Sequence, residues 1–407
     1  MIKIDTHNIK SSDDFELNIK RKQLLTYHIA YNDTKKAEGI VFIIPGFGDD
    51  AAVSYQKNLI KHIADKYNFL AVFVQYHGLY SRVSGNKETA KYQFNASDTE
   101  ILIKYIDMFG IELDEDNLDY QSIVEVVNKH IDELKSTNQL DKNFLLDMWG
   151  TIFPYNDEYQ NFGVLQSIDI LTVLYHIKSL GHDDIITNKP LVAIGSSHGG
   201  YLANLLMKFA PNTFDAIIDN SCYVKPPMNY IVGFETDPFK AEYYMLYSHI
   251  KMHFFTLTNW TLKQNNNQFN QASYDIRDLS NTDQINQLAL QGLKTKVISY
   301  HSTFDNIANY PDKNNYITEL KKHNIDCHLN KIHSKTQVDG KLIKNLNHSM
   351  GMSIKTLIDK ELPNVINYVS KNTPTDISLQ STIRYDVSDN HAYIFDFNET
   401  AVMPKII

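Results

Sequence analysis

"VAIGSSHGGYLANLLMKFAP", Val192 to Pro211, carries an apolar strand pattern into a glycine-flanked pair of serines and straight on into a helical pattern. The register Gly195-x-Ser197-x-Gly199 is that of a strand–elbow–helix, in which the central serine sits in strained backbone and its hydroxyl stands clear of the sheet. Small flanking residues let strand and helix approach closely. The helix N-terminus adds a partial positive field where negative charge would develop. Ser196 falls outside this register. A glycine-rich turn with a capping serine has the same local composition, so the rest of the chain has to decide between packing and chemistry.

Outward from the elbow, short continuous apolar runs alternate with helical patterns. Strands are expected at Ile40 to Gly46, Phe69 to Tyr76, Leu191 to Gly195, Phe214 to Asn220, Thr295 to His301 and Ile325 to Ile332. Continuous apolarity marks strands covered on both faces, as in a parallel sheet. Helices are expected at Val53 to Tyr67, Val164 to Ser179, Gly200 to Phe209, Asp312 to His323 and Met352 to Val369. The alternation predicts an α/β doubly wound domain. "FELNIKR" and "LLTYHIAYN" read as antiparallel edge strands. Two segments break the rhythm, from about 80 to 160, polar and helical in pattern, and from about 223 to 290, rich in Tyr, Phe and Asn. Both follow strand ends and are expected to be cap insertions on one large domain. A capping box from Ser97 to Glu100 opens a helix that Gly110 closes. "TIRYDVSDNHAYIFDF" within the tail from about 375 to 407 predicts a β-hairpin.

A serine is a weak nucleophile without a base and an orienting acid. After an elbow of this type the chain order is serine, acid, histidine, each in a loop beyond a later strand. Asp305 in "VISYHSTFDNIANYPD" lies beyond the strand ending near His301, and Asp219 is the alternative acid. His348 in "NLNHSMGMSIKTL" lies between the last strand and the last helix, and His333 in "NKIHSKTQVDG" is the alternative base. Two backbone N–H donors are needed for an oxyanion. One is expected from His198, directly after the nucleophile. The other is expected from Phe47, between Gly46 and Gly48 in the loop "IPGFGDD" after the first parallel strand.

With these pieces in order the chain resembles the α/β-hydrolase superfamily over about residues 36 to 370, outside the two insertions. "GSSHGGYLA" is most similar to the elbow of the prolyl-oligopeptidase branch, where Gly-Gly-Tyr follows the serine turn. The chain is also similar to a bacterial hydrolase family associated with surface-glycan modification genes. The resemblance implies a serine hydrolase using Ser197, Asp305 and His348, with amide donors at Phe47 and His198.

Composition bounds the partners. The 407 residues carry a formal charge of −9 and 43% apolar residues, which argues against nucleic acid and anionic membranes as partners. Two cysteines do not make a disulfide framework. The first residues have no apolar signal region and no run suits a membrane span, so a cytoplasmic location is expected. No metal or cofactor is expected, since His, Asp and Cys lack zinc-like spacing and no phosphate or dinucleotide loop follows the first strand. The expected substrate is a small acyl ester, of a glycan or another small molecule. Tyr76 and Arg82 are placed as substrate-binding residues, together with the aromatic residues Tyr80, Tyr223, Tyr230 and Phe234. Arg82, one of four arginines, would hold a substrate carboxylate bidentately. A peptidase, an acyltransferase with the same triad and a non-enzymatic binding module are the competing readings.

Overall fold

The computed structural model describes residues 1–47, 52–85, 88–111, 119–181, 189–211, 213–372, 375 and 380–407. They form two compact units. The first comprises Met1–Leu79, Phe162–Pro226 and Phe269–Ile407, and the second Tyr80–Asn161 and Pro227–Gln268.

The first unit is built on an eight-stranded sheet. Its strands are β1 (Ile2–Lys10), β2 (Leu24–Asn32), β3 (Ile40–Ile44), β4 (Leu70–Gln75), β7 (Leu191–Ser196), β8 (Ala216–Asn220), β11 (Lys296–Ser302) and β12 (Cys327–Ile332). Their spatial order is β1-β2-β4-β3-β7-β8-β11-β12. From β4 to β12 every pairing is parallel, while β1 and β2 are antiparallel to their neighbours. All residues of β3, β7 and β8 are buried, the physical content of their unbroken apolar runs. The step from β3 to β4 runs one way along the sheet and the step from β4 to β7 runs the other. Right-handed crossovers therefore set the helix Val53–Tyr67 and the helix Val164–Ser179 on opposite faces. The first meets the helix Ile354–Val369 through His62 Nε2 and Asp359 Oδ1, 2.7 Å apart.

The β1–β2 pair corrects the reading of the N-terminus. The partner of β2 is Ile2–Lys10, and "FELNIKR" is a turn, because Asp14 Oδ1 accepts the N–H groups of Glu16 and Leu17 and Asn18 takes φ 52°. At the other end, β13 (Ile383–Asp386) and β14 (Ala392–Phe397) form the expected hairpin. A third strand, β15 (Val402–Ile406), pairs with β14, unannounced because Pro404 interrupts its pattern.

The second unit is not simply helical, as its polarity suggests. It holds a four-stranded sheet, β5 (Lys91–Gln93), β6 (Leu146–Phe153), β9 (Tyr243–Leu246) and β10 (Ile250–Thr256), in the order β5-β6-β10-β9. Leu146, Met148 and Ile152 of β6 and Ile250, Met252 and Phe254 of β10 pack with Leu102, Ile123, Val124, Val127 and Ile131 from the helices Ala96–Phe109 and Tyr120–Ser136. The helix Ala96–Phe109 is capped by Asn95 rather than Ser97. Asn95 Oδ1 accepts the Asp98 N–H, and Asp98 Oδ2 accepts the Asn95 N–H as well as the hydroxyl of Thr151 on β6. Gly110 closes the helix at φ 65°. The second insertion also ends earlier than about 290. The helices Gln271–Arg277 and Thr282–Leu290 belong to the first unit, where Arg277 forms a buried ion pair with Glu16 at 2.6 Å.

No helix among the described residues is long and apolar enough to cross a membrane.

Candidate active site

Ser197 stands between β7 and the helix His198–Phe209 with φ 52° and ψ −119°. This left-handed backbone is strained for any residue with a Cβ. Its N–H donates to the Asn220 carbonyl at 2.7 Å, and its carbonyl accepts the Tyr201 N–H at 3.1 Å. The two flanking glycines are obligatory for close approach. A Cβ on Gly195 would lie 2.2 Å from the Gly199 carbonyl oxygen, and one on Gly199 would lie 1.9 Å from the Ile44 carbonyl oxygen.

His348 begins a tight turn, His348–Gly351, in which Ser349 and Met350 take φ 57° and 54°. The end of β8 anchors that turn. Ser349 N–H donates to Ser221 Oγ at 3.1 Å, and Asn220 Nδ2 donates to the Ser349 carbonyl at 3.1 Å. Ser302 Oγ, at the end of β11, holds the Leu346 carbonyl at 2.5 Å. Asn220, Ser221 and Ser302 were not singled out from the sequence. Their one signal is position, at the C-terminal ends of parallel strands, where sites in such sheets form.

The result is a continuous line of contacts. Ser197 Oγ lies 2.7 Å from His348 Nε2, and His348 Nδ1 lies 2.9 and 3.0 Å from the two carboxylate oxygens of Asp305. Asp305 Oδ1 also accepts the N–H groups of Ile307 at 2.9 Å and Ala308 at 2.8 Å. Burial pushes the Asp305 carboxyl up, but the hydrogen bond and charge of His348 and the two backbone donors outweigh it and hold the group below the ordinary carboxylate range. An acceptor-only carboxylate fixes the tautomer. Nδ1 of His348 carries the proton, and Nε2 presents its lone pair to the serine hydroxyl.

The alternatives lie elsewhere. Asp219 Oδ2 is 2.9 Å from Lys313 Nζ and accepts the Ser299 hydroxyl at 2.6 Å, all of it buried. His333 is exposed, and its backbone N–H donates to Gln337 Oε1. Ser196 is buried and accepts Asn220 Nδ2 at 3.2 Å.

His198 is the first residue of its helix, so its N–H belongs to the first turn, whose donors point out of the helix N-terminus. Gly46 packs directly on the elbow. A Cβ there would be 2.9 Å from the Ser196 carbonyl oxygen, 3.1 Å from Ser197 Cβ and 3.5 Å from His198 N. Phe47 follows, with its ring stacked on the His198 ring at 4.1 Å and 20°. Gly48 lies outside the described residues.

Tyr76 and Arg82 are placed differently from the substrate-binding roles expected of them. Tyr76 is 1% exposed and its hydroxyl donates to the Pro45 carbonyl at 2.7 Å, so it braces the loop of Phe47 from below. Arg82 gives Nη2 to Glu242 Oε2 at 2.7 Å and Nη1 to Thr256 Oγ1 at 2.9 Å, within the second unit. Its guanidinium takes a carboxylate of the protein, the buried side chain of Glu242. Tyr223 is buried with its ring 6.2 Å from that of His348. Tyr80, Tyr230 and Phe234 belong to the second unit.

A mostly parallel sheet with helical crossovers and a serine elbow between a central strand and its helix is the α/β-hydrolase fold. Within it, the chain belongs to the family described as protein of unknown function (DUF2920), whose model matches residues 5–406. No curated protein matches the chain. Among solved structures it is similar to a protein provisionally described as dipeptidyl aminopeptidase IV from Bacteroides ovatus, at 11% identity and a TM-score of 0.47, covering 90% of this chain and 36% of that one. It is similar to an S-formylglutathione hydrolase from Agrobacterium tumefaciens at 11% identity and a TM-score of 0.42, covering 90% and 95%. It is also similar to the acylaminoacyl peptidase of Pyrococcus horikoshii at 10% identity and a TM-score of 0.39, covering 93% and 43%. The chain thus spans less than half the length of the first and third.

Proposed function

We propose that this chain is a serine hydrolase acting through an acyl-enzyme, with a small acyl ester as substrate. One observation carries the reading: a serine hydroxyl on a strained elbow lies 2.7 Å from a histidine nitrogen whose other nitrogen is held by a buried carboxylate. His348 Nε2 takes the Ser197 proton as Oγ attacks the acyl carbonyl. The N–H groups of His198 and Phe47 receive the developing oxyanion, and Asp305 stabilises the imidazolium. The imidazolium then protonates the departing alcohol. A water molecule, deprotonated by the same nitrogen, releases the acid and restores the serine.

The test is labelling of the intact protein by a fluorophosphonate probe, followed by turnover of acetyl through octanoyl esters, acetylated neutral and acidic sugars, and peptide amides. Labelling at Ser197 with preference for short acyl esters is the expected result. Cleavage of amides without ester preference would replace the esterase by a peptidase. Product formed only with an added alcohol acceptor would make the chain an acyltransferase. An unlabelled protein inert to every substrate would overturn the reading.

A further inference from the structure

The side chain of His198 has its own role, separate from its amide and from the chemistry of His348. It lies fully buried at the start of its helix, and its Nε2 meets Gln166 Oε1 at 2.6 Å. Two backbone partners settle the polarity of that contact. Gln166 Oε1 accepts the Gly163 N–H at 2.8 Å, and Gln166 Nε2 donates to the His77 carbonyl at 2.8 Å. The amide can face only one way, so its oxygen points at the imidazole and His198 Nε2 is the donor. This Nε2 proton is committed to Gln166, which fixes the orientation of the ring.

What the locked ring holds is Phe47. The two rings stack at 4.1 Å and 20°, and Phe162 meets the His198 ring edge-on at 4.6 Å and 63°. Phe162 itself takes φ 59° and its carbonyl accepts Arg277 Nε at 3.0 Å. Two side chains therefore fix the segment Pro45–Phe47 against the elbow. Tyr76 holds the Pro45 carbonyl, and His198 holds the Phe47 ring. Gly46 between them has no room for a side chain.

We infer that the Gln166–His198 pair is a positioning device that sets the spacing of the two amide donors at Phe47 and His198 by stacking the Phe47 ring on the His198 ring. The inference rests on the hydrolase reading above. An amide donor displaced by a fraction of an ångström binds the ground-state carbonyl nearly as well but loses the oxyanion, so the device acts on kcat.

The test uses the variant Phe47→Ala, which keeps the amide and removes only the ring, beside His198→Ala, Gln166→Met, the double variant Phe47→Ala/His198→Ala and the conservative Phe47→Tyr. Each is measured on the best ester found for the wild type, with thermal unfolding as a control for folding. The expected result is a kcat lower by about 10- to 100-fold in each single variant with KM within about twofold. The double variant should be no worse than the poorer single one, since both remove the same stack. Phe47→Tyr should lose less than Phe47→Ala. Phe47→Ala turning over at the wild-type kcat would overturn the inference and leave the serine hydrolase intact. So would effects that multiply in the double variant, or losses confined to KM. A wild type that neither labels nor hydrolyses fails earlier, on the hydrolase reading, and overturns both. If His198→Ala and Gln166→Met do not fold, Phe47→Ala and Phe47→Tyr alone decide the matter.

Discussion

Asp219 Oδ2 and Lys313 Nζ lie 2.9 Å apart, and neither side chain is exposed. Cys222 Sγ is 2.9 Å from the same ammonium, and Asn204 and Ser299 donate to the same carboxylate oxygen. This pair removes Asp219 from contention as the carboxylate partner of His348 and assigns it to the support beneath the elbow. Removing one partner leaves a buried charge uncompensated. Lys313→Met is expected to cost about 3–5 kcal/mol, and Asp219→Asn a comparable amount, read as a lower urea midpoint. The double variant should cost less than the sum of the two. Additive losses would show that the charges do not compensate each other.

Ser197 and Ser196 separate by register. Ser197→Ala should abolish probe labelling with the fold intact, whereas Ser196→Ala should still label. Ser197→Gly should also fail to label but unfold at a higher temperature than Ser197→Ala, because glycine relieves about 1 kcal/mol of backbone strain at φ 52°. Labelling retained in Ser197→Ala would move the nucleophile elsewhere.

The closeness of strand and helix at the elbow depends on the missing side chains of Gly195 and Gly199. Gly199→Ala would drive a methyl to within 1.9 Å of the Ile44 carbonyl oxygen, with backbone rather than a flexible side chain as the obstacle. A loss of about 3 kcal/mol or more is expected in chemical denaturation. Gly110→Ala serves as the contrast, since among the described residues no atom beyond its chain neighbours and its own helix lies within 4 Å of its Cβ position and only its positive φ is strained.

Lys208 is fully buried, and its ammonium donates to the carbonyls of Ile276 at 2.6 Å and Asp278 at 3.0 Å. Burial lowers its pKa to about 7, against the opposing pull of Asp278 and Asp275. The unfolded chain holds this proton up to about pH 10. Between pH 7 and 10 the unfolded state therefore binds more protons at this site, and the site favours folding more as pH rises. The gain is at most about 1.4 kcal/mol per pH unit. Below pH 7 both states are protonated and the contribution is flat. The stability of the wild type minus that of Lys208→Met should climb between pH 7 and 8.5 in urea titrations. A flat difference would mean that the buried amine stays charged.

The stretch from Val192 to Pro211 determined its own conformation. Elbow, glycines and helix are consequences of neighbouring residues, because backbone strain and close approach are local properties. The alternation of apolar runs also determined a parallel, doubly covered sheet, since strands buried on both faces have no polar side. What the sequence could not decide was partner choice. Asp219 lies at the end of one apolar strand and Asp305 in the loop beyond the next, and His333 and His348 both follow the last strand of the large sheet. Only the packing of Lys313 against Asp219, and the anchoring of the His348 turn on Asn220 and Ser221, separates them. The same limit hid β6 and β10, which pair in parallel across about a hundred intervening residues, and it hid Glu242 as the partner of Arg82. A local pattern reports which face of a segment is apolar. It carries no record of which distant charge or hydrogen-bond partner the fold brings to that face, and in this molecule those partners distinguish a supporting carboxylate from one aligned with a histidine and a serine.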